Sequence, residues 1–406
     1  MADFYQHGRL PTLHHLAESD VMAREAELVR WSKDSPIALL LPAFFPEFQK
    51  SALPRMLREI STVPYISEVV LSINGTTEAE LEVAHAVCRE CLGEKPCRIV
   101  WNDGPAAQDI FAQVEAKGGP AYRAGKGSNI WMGVLHLAAR GEHAVVACHD
   151  TDILSYERGL LWRLCFPVAN PVMPYRFAKG YYGRVGERLY GRVTRLLVAP
   201  LLRAFRDVVG GTDLIRHLTS FRYPLSGEFS ASLEALQQMR MPHGWGLEVW
   251  LLCESFRLLA IEEMCQVDLG LNFEHRHREV SNAPAASSVA VSGLERTSSE
   301  VARALAEHIL EGRPKSKFGL TLRTVGERYA EVASEWVPRY EHDALFNGLR
   351  YDKEDELRAV EIFKDVLSGI HREPATTPSW PSAASMIAYA GLKEAVTALG
   401  QLVRGD

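Results

Sequence analysis

Two aspartates at the end of an apolar run have the residue type and spacing that point most directly to chemistry. Asp150 and Asp152 follow the run 144–148 and stand two positions apart. If the run is a buried strand, its end places both carboxylates at the rim of a sheet. There Mg²⁺ or Mn²⁺ can bind and keep open positions for substrate phosphates. A solvated turn after a strand is the alternative interpretation, so the motif needs support from other residues.

A glycine-rich segment provides a candidate phosphate contact. Residues 123–128 read RAGKGS and open a predicted helix. Glycines let backbone N–H groups approach an anion, and the start of a helix adds partial positive charge. Lys126 adds a full positive charge. The spacing does not match a P-loop, and a solvated helix start is the alternative.

Two further segments carry clustered basic residues. The first is laced with aromatic residues and comprises Lys179, Tyr181, Tyr182, Arg184, Arg188, Arg192 and Arg195. Its four arginines are spaced about four residues apart, which predicts one helical face able to bind a small phosphorylated acid. A solvated basic face is the alternative. The second segment, 272–278 (NFEHRHR), favours a site because its charged residues cannot all be buried cheaply, and an imidazole from it could join carboxylates around a metal ion.

The elements that must position these residues alternate along the chain. Strands are predicted at 35–44, 66–73, 98–101 and 143–148, and helices at 54–61, 78–92 and 125–139, with turn residues and an N-cap within 72–77. This alternation predicts an α/β fold with a mostly parallel sheet, whose ligands bind outside the carboxyl ends of the strands. Asp150 and Asp152 fall at one of those ends.

The chain changes character after residue 280. Residues 281–299 are small and polar, and this composition predicts a linker or mobile loop. Apolar residues at helical spacing then predict helices at 299–312, 320–338, 353–371 and 384–404. We therefore expect one domain over 1–280 and a mainly helical extension over 281–406.

The composition of the 406 residues excludes several classes of protein. A 47% apolar and 24% charged chain is typical of a globular protein, and a net charge of −6 argues against a general nucleic-acid binder. We see no signal peptide and no apolar run long enough to span a membrane. Seven scattered cysteines indicate reduced thiols and a cytoplasmic location. His85, Cys88 and Cys91 could suggest zinc, but their spacing favours one face of a helix.

An ordered set of short motifs resembles the retaining glucosyl-3-phosphoglycerate synthases, to which the mannosyl-3-phosphoglycerate synthases are related. The motifs are LPA at 41–43, AGKG at 124–127, DTD at 150–152, KGYY at 179–182, GRVT at 191–194, PLSGE at 224–228, GLE at 246–248 and QVDLG at 266–270, followed by His275 and Arg276. No single motif is specific, but the set covers roughly residues 36–280 in order.

The resemblance implies a GT-A fold and a role for each matched residue. A nucleotide-sugar half at about 36–152 would be joined to an acceptor half at about 153–280, in a homodimer. The implied donor-binding residues are Pro42, Ala43, Glu47, Ser72, Lys126 and Asp150. Asp152 and His275 would bind Mg²⁺ or Mn²⁺. The implied acceptor-binding residues are Gly191, Arg192, Thr194 and His277, and Glu228 and Asp150 would act catalytically near the transferred sugar.

The chain departs from the family pattern at four places. The residues FFP at 44–46 precede Glu47, and SING at 72–75 replaces an Asp-Ser end of the second strand. The residues RLYG at 188–191 stand where a glycine-rich turn normally precedes the RVT residues, and His277 stands where the family often has Asn. The last two changes touch the acceptor pocket that the resemblance implies.

The resemblance implies transfer of glucose from UDP- or GDP-glucose to 3-phospho-D-glycerate, for synthesis of a compatible solute. Two related alternatives are a mannosyl donor and free glycerate as the acceptor. A more remote alternative is a non-catalytic protein that binds sugar nucleotides. In each case we expect small-molecule ligands and no nucleic-acid or membrane partner.

Overall fold

The computed structural model describes residues 6, 8–16, 20–270, 288–372, 377–389 and 391–403. A nine-stranded sheet forms its centre, in the order β1-β9-β6-β7-β5-β2-β3-β4-β11. The strands of this sheet are β1 (Thr12–Leu13), β2 (Ile37–Phe44), β3 (Ile66–Asn74), β4 (Cys97–Trp101), β5 (Val145–Cys148), β6 (Phe177–Tyr181), β7 (Phe229–Ser232), β9 (Met264–Asp268) and β11 (Gly400–Leu402). Strands β8 (Met241–Pro242) and β10 (Ser379–Trp380) form a separate antiparallel pair.

Helices cover both faces of the sheet. They are α1 (Val21–Trp31), α2 (Ala52–Ser61), α3 (Glu78–Leu92), α4 (Pro105–Ala116), α5 (Lys126–Arg140), α6 (Arg158–Ala169), α7 (Ala199–Val209), α8 (Asp213–Ser220), α9 (Leu233–Leu236), α10 (Leu247–Leu258), α11 (Ser288–Ile309), α12 (Lys315–Phe346), α13 (Lys353–Arg372), α14 (Ala383–Ile387) and α15 (Leu392–Ala398). Short 3₁₀ helices lie at Phe45–Gln49 and Ile261–Glu263, and a π-helix lies at Val193–Val198. No helix in the described part of the chain is long and apolar enough to cross a bilayer.

The central strands are parallel and buried on both faces. Strand β2 reads IALLLPAF and pairs in parallel with β3 on one side and β5 on the other. A continuous apolar run is expected where helices cover both sides of a parallel sheet. Because β2, β3 and β5 run the same way, the residues that follow them meet at one edge. This edge holds the candidate site.

Two apolar cores lie on opposite faces of the sheet. Leu39 and Leu41 of β2 pack toward α1, α2, α3 and α6, whereas Ala38 and Leu40 pack toward α5, α7, α10 and the helices after residue 288. The alternation follows from the two-residue period of a strand. The C-terminal helices therefore belong to one face of the sheet.

The sequence patterns located the first half of the sheet well. The predicted strands at 35–44, 66–73, 98–101 and 143–148 correspond to β2 through β5, and the α/β prediction is confirmed. Thr77 caps α3, and its hydroxyl accepts from the Glu80 N–H while the Glu80 carboxylate accepts from the Thr77 N–H. The patterns did not predict α1 or α4.

The structure corrects three predictions for the second half. The linker predicted at 281–299 is wrong from Ser288 onward, where α11 begins. The helix predicted at 384–404 is instead α14, α15 and strand β11, because β11 pairs with the exposed edge of β4. The four arginines do not share one helical face, since Arg184 and Arg188 precede the π-helix in irregular backbone.

The segment around β10 ties the C-terminal region to α5. The Trp380 ring is fully buried and stacks on Trp131, with ring centroids 4.8 Å apart. The Trp131 indole N–H donates to the Pro381 carbonyl at 2.7 Å, and the Trp380 indole N–H donates to the Ser128 hydroxyl at 3.3 Å. This contact therefore supports the start of α5.

We predict that Trp380→Ala lowers the free energy of unfolding by about 3–5 kcal/mol, because it removes a fully buried aromatic side chain and leaves a cavity. Denaturant unfolding followed by circular dichroism measures the change. Trp245→Ala is the matched control, since the Trp245 side chain is 42% exposed. Equal effects of the two substitutions would contradict the importance of the Trp131 stack.

Candidate active site

One large cavity of about 1770 Å³ opens at the carboxyl ends of β2, β3 and β5. Its sheet end is lined by Pro42, Ala43, Glu47, Asn74, Lys126, Asp150 and Asp152. Its helical end is lined by Arg188, Tyr190, Arg192, Arg350, Asp355 and Glu356. The cavity therefore joins strand-end carboxylates to a cluster of arginines and carboxylates that contains residues from the C-terminal region.

The two aspartates follow β5 directly and both line the cavity. Thr151 between them also lines the cavity, and its hydroxyl donates to the Pro42 carbonyl at 3.3 Å. This hydrogen bond fixes the turn against the end of β2. The sequence thus brings Asp150 and Asp152 to the sheet rim as the strand pattern predicted.

Lys126 is the first residue of α5 and forms two ion pairs. Its Nζ contacts the Asp150 carboxylate, and it lies 2.8 Å from Oε1 of Glu248 at the start of α10. Burial alone lowers the pKa of Lys126, but the two carboxylates outweigh burial and raise that pKa well above its usual value. A cationic ammonium group is therefore held in the cavity wall, where it can face an anionic ligand.

The glycine beside Lys126 is required by packing. A Cβ atom on Gly127 would lie 1.9 Å from the carbonyl oxygen of Pro242, so only glycine lets α5 approach strand β8. The sequence analysis attributed the glycines to close approach of an anion. The structure shows close approach of another part of the backbone instead.

A buried polar network lies beneath the sheet end of the cavity. The Asn102 side-chain amide donates to the Ser72 hydroxyl at 3.0 Å and to Oδ1 of Asn129 at 2.7 Å. The Asn129 amide in turn donates to the Ala43 carbonyl at 2.8 Å. These bonds fix the ends of β2 and β3 against α5.

Ser72 does not line the cavity, contrary to the donor-binding role implied by the resemblance. It is fully buried, and it lies two residues before the end of β3. Asn74 at the end of that strand reaches the cavity and donates to the Gly125 carbonyl at 3.2 Å. The other implied donor residues, Pro42, Ala43 and Glu47, do line the cavity, and Glu47 forms an ion pair with Lys50 at 2.5 Å.

Glu228 is also deeper than the sequence analysis expected. Its side chain is fully buried near Tyr182, and burial together with the Glu228 carboxylate raises the pKa of the Tyr182 hydroxyl well above its usual value. The neighbouring Gly227 faces the Asp150 carboxylate, since a Cβ atom there would lie 2.3 Å from Asp150 Oδ2. Asp150 therefore lines the cavity in front of Gly227, and Glu228 lies behind it.

Lys179 is a buried cation to which the sequence analysis assigned no individual role. It is 1% exposed on β6, and its Nζ donates to the Ser226 carbonyl. The Ser226 hydroxyl donates back to the Gly180 carbonyl, and the Gly180 N–H donates to the Glu228 carbonyl at 2.9 Å. These three bonds hold the segment 224–228 on β6. Its inclusion in the KGYY motif was the signal that could have identified it.

Burial lowers the pKa of Lys179 to about 8, although the carboxylates of Glu248, Glu228 and Asp150 oppose that shift. Lys126 is a nearby like charge and lowers the pKa further. The two lysines and three carboxylates therefore form one electrostatic group at the sheet end of the cavity.

Arg192 lines the helical end and is already paired. Its Nε lies 3.1 Å from Oε1 of Glu356, and its Nη2 lies 2.5 Å from Oδ2 of Asp355. Gly191 (φ +70°) and Thr194 flank Arg192, but they are not among the described residues that line the cavity. Gly191 and Thr194, which the acceptor prediction grouped with Arg192, therefore adjoin it in the chain and do not line the cavity.

Of the two predicted metal ligands, Asp152 lies within the described residues. The predicted partner His275, like the predicted acceptor residue His277, lies outside the described part of the chain. Within that part, no three His, Cys, Asp or Glu side chains are grouped as a metal site. One or two carboxylates suffice for Mg²⁺ when substrate phosphates provide other ligands, so the oxygen donors at the end of β5 fit such an ion.

Two known proteins that bear the same name are similar in sequence to this chain over most of their length. The chain is 33% identical to the glucosyl-3-phosphoglycerate synthase of Persephonella marina over 374 residues, which covers 92% of this chain and 90% of the relative. It is 28% identical to the enzyme of the same name from Methanococcoides burtonii over 398 residues, or 95% and 94% of the two chains. No family model matches the chain.

Solved structures show the same fold. The chain resembles the Mycobacterium tuberculosis glucosyl-3-phosphoglycerate synthase, solved in complex with phosphoglyceric acid, with a TM-score of 0.53 and 24% identity over 75% of this chain and 88% of that one. The same enzyme was also solved with Mn²⁺, UDP-glucose and phosphoglyceric acid. The similarity confirms the predicted GT-A fold, a mixed and mostly parallel sheet flanked by helices.

We predict that the wild-type protein gains stability over a Lys179→Met variant as pH rises from about 8 to about 10.4. An unfolded lysine keeps its proton to about pH 10.4, whereas folded Lys179 loses its proton near pH 8, so the unfolded state binds more protons in this window. The gain is at most about 1.4 kcal/mol per pH unit. Denaturant unfolding at a series of pH values measures it.

Lys33→Met is the control for this measurement, because Lys33 is exposed. The wild-type and Lys33→Met curves should run parallel over the same pH range. A Lys179→Met curve that is also parallel to the wild type would show that Lys179 titrates as an ordinary lysine.

Proposed function

The chain belongs to the glucosyl-3-phosphoglycerate synthase family, and on that premise we propose that it transfers glucose from UDP-glucose to the C2 hydroxyl of 3-phospho-D-glycerate. One observation carries the assignment of roles: a single cavity joins Lys126, Asp150 and Asp152 at its sheet end to Arg192 at its helical end. The sheet end takes the nucleotide sugar, and the helical end takes the phosphorylated acid. Membership of the glucosyl-3-phosphoglycerate synthase family favours glucose and 3-phosphoglycerate over the mannosyl and glycerate alternatives.

The donor diphosphate is placed against Lys126. The Lys126 side chain is 19% exposed in the cavity wall, and its ammonium group keeps its proton through its pairs with Asp150 and Glu248. A fixed positive charge that needs no reorganisation stabilises the negative charge that develops on the leaving diphosphate. Pro42, Ala43 and Glu47 line the neighbouring wall, where the nucleoside binds. Asn74 takes the place that the resemblance gave to Ser72.

Asp152 would hold a divalent cation, and His275 would be its partner. The structures of the M. tuberculosis enzyme with Mg²⁺ or Mn²⁺ and UDP support this choice of ion. When bound, the ion supplies charge neutralisation for the diphosphate. The other groups that act on the substrates are side chains of the protein itself.

Transfer with retention places both reacting oxygens on one face of the sugar. The bond from the anomeric carbon to the diphosphate oxygen breaks, the acceptor hydroxyl oxygen bonds to the same carbon, and the hydroxyl proton passes to the departing diphosphate. The chain therefore needs no dedicated general base, and holding the two substrates in register contributes much of the rate. Asp150, which faces the cavity, is placed to stabilise positive charge on the sugar.

Glu228 has an indirect role in this proposal. Because it is fully buried behind Gly227, it acts as a positioning residue for the segment 224–228 and for Tyr182. Gly227 leaves the space that the Asp150 carboxylate occupies. Lys179 holds the same segment from the other side. Together these contacts determine where Asp150 lies.

We further propose a homodimer in the cytoplasm. The described cysteines, Cys88, Cys91, Cys97, Cys148, Cys165, Cys253 and Cys265, are all free and buried, which fits a reducing compartment. The dimer is the assembly that the family resemblance implies.

We predict that the protein, incubated with Mg²⁺, UDP-glucose and 3-phosphoglycerate, forms glucosyl-3-phosphoglycerate and that Asp152→Asn abolishes this transfer. The substitution removes the carboxylate charge with almost no change in shape. Product analysis by mass spectrometry, with GDP-glucose, GDP-mannose and free glycerate in parallel, measures transfer and specificity.

Asp109→Asn is the matched control, because Asp109 is an exposed residue of α4. It should retain wild-type transfer, and circular dichroism should show both variants folded. Normal turnover in folded Asp152→Asn protein would refute the metal assignment. Formation of a different glycoside by the wild type would refute the proposed substrates.

We predict that Arg192→Ala raises the acceptor KM about tenfold to a hundredfold and leaves the donor KM nearly unchanged, because hydrogen bonds between charged groups are lost only at the helical end. Steady-state kinetics with each substrate varied in turn measures both constants. Arg203→Ala is the control, since Arg203 is an exposed arginine of α7 that pairs with Asp207. Equal rises in both constants would count against an acceptor role for Arg192.

A further inference from the structure

The acceptor end of the cavity contains negative charge supplied by the C-terminal region. Arg192 is bonded to both Asp355 and Glu356 at the start of α13. All three side chains line the cavity. In the proposed function the same guanidinium group binds the phosphate or carboxylate of the acceptor, so the protein's own carboxylates occupy part of the site that the acceptor needs.

The two carboxylates differ in how far they are exposed to solvent. The Glu356 side chain is 7% exposed and bridges two arginines, with Oε2 at 2.8 Å from Nη1 of Arg195 and Oε1 at 3.1 Å from Nε of Arg192. The Asp355 side chain is 37% exposed and contacts Nη2 of Arg192. Glu356 therefore holds both arginines from a buried position, whereas water and ligands can reach Asp355.

The start of α13 is held in place independently of Arg192. Oδ1 of Asp352 accepts from the Asp355 N–H at 3.0 Å, and the Asp352 carbonyl accepts from the Glu356 N–H at 3.1 Å. The preceding Arg350 bonds to Glu187 through both its backbone N–H and its side chain, at 2.9 and 3.0 Å. The backbone of Asp355 is therefore fixed beside the acceptor site whether or not its side chain pairs with Arg192.

An incoming phosphorylated acid that binds Arg192 through both Nη1 and Nη2 must compete with Asp355 for Nη2. Glu356 at Nε and Asp355 at Nη2 lie on the same side of the guanidinium group, so the Nη1–Nη2 end is left for a bidentate anion, and Asp355 holds one of its two nitrogens. A phosphate that approached while Asp355 stayed in place would also meet a like charge. Binding therefore exchanges one ion pair for another.

We propose that Asp355 sets the affinity for the acceptor by acting as an internal competitor that the acceptor's anionic group displaces from Arg192. This inference rests on the proposed function, because it takes the helical end of the cavity as the acceptor site. Glu356 keeps Arg192 and Arg195 in position during the exchange. The C-terminal region thus supplies a specificity-determining residue to a site whose arginine comes from the first 280 residues.

The test is the acceptor KM of Asp355→Asn, measured with the full-length protein, Mg²⁺, UDP-glucose and 3-phosphoglycerate. Removal of the competing charge should lower this KM about threefold, a size typical of a partly exposed ion pair, with an unchanged donor KM. Calorimetric binding of 3-phosphoglycerate should show the same change in affinity. Glu354→Gln removes one charge from the exposed side of the same helical turn and should leave both constants unchanged.

A double-mutant comparison separates competition from a general change in charge. In an Arg192→Ala background, Asp355→Asn should lower the acceptor KM no more than Glu354→Gln does, because the shared partner is absent. A raised or unchanged acceptor KM in Asp355→Asn, with normal wild-type transfer, would overturn this inference alone. Failure of the wild type to transfer glucose to 3-phosphoglycerate would overturn the proposed function, and this inference with it.

Discussion

The paired charges of Lys126 are the constraint on which the site depends. Its ammonium group joins three elements, because it begins α5, contacts Asp150 after β5 and pairs with Glu248 at the start of α10. A buried charge is stable only when it is paired, and removal of one partner leaves the others uncompensated. The ion pairs therefore fix where three segments from distant parts of the sequence meet, and they keep a positive charge in the cavity wall, where the proposed function places the donor diphosphate.

The two ends of the cavity are formed by different parts of the fold. Strand ends and the start of α5 form the sheet end, where backbone hydrogen bonds of the sheet hold each side chain in position. The helical end combines Arg192, which precedes a π-helix, with carboxylates from α13. The region after residue 288 packs on the same core as α5 and α7, and β11 covers the edge of β4. It is thus part of the same structural unit as the sheet, since it completes the sheet and lines the helical end of the cavity.

Close packing, more than chain flexibility, explains the glycines of the site. Gly127 lets α5 approach the Pro242 carbonyl, and Gly227 leaves room for the Asp150 carboxylate. Lys179 also depends on contacts between distant segments. Its buried side chain anchors the segment 224–228 and lies near three carboxylates. The positions of the reacting groups follow from such contacts between segments that are far apart in the sequence.

The sequence by itself determined the parallel strands, the placement of Asp150 and Asp152 at a strand end, and the family, because each depends on local periodicity or on motif order. Only the tertiary structure decided that Ser72 and Glu228 are buried, that Asn74 lines the cavity, and that Arg192 pairs with Asp355 and Glu356. The depth of a residue below the rim depends on what packs over it, and an ion pair across about 160 residues has no local signal. For the same reason the sequence pattern predicted a helix where β11 lies. The strand conformation of β11 is imposed by the open edge of β4, which lies about 300 residues earlier in the chain.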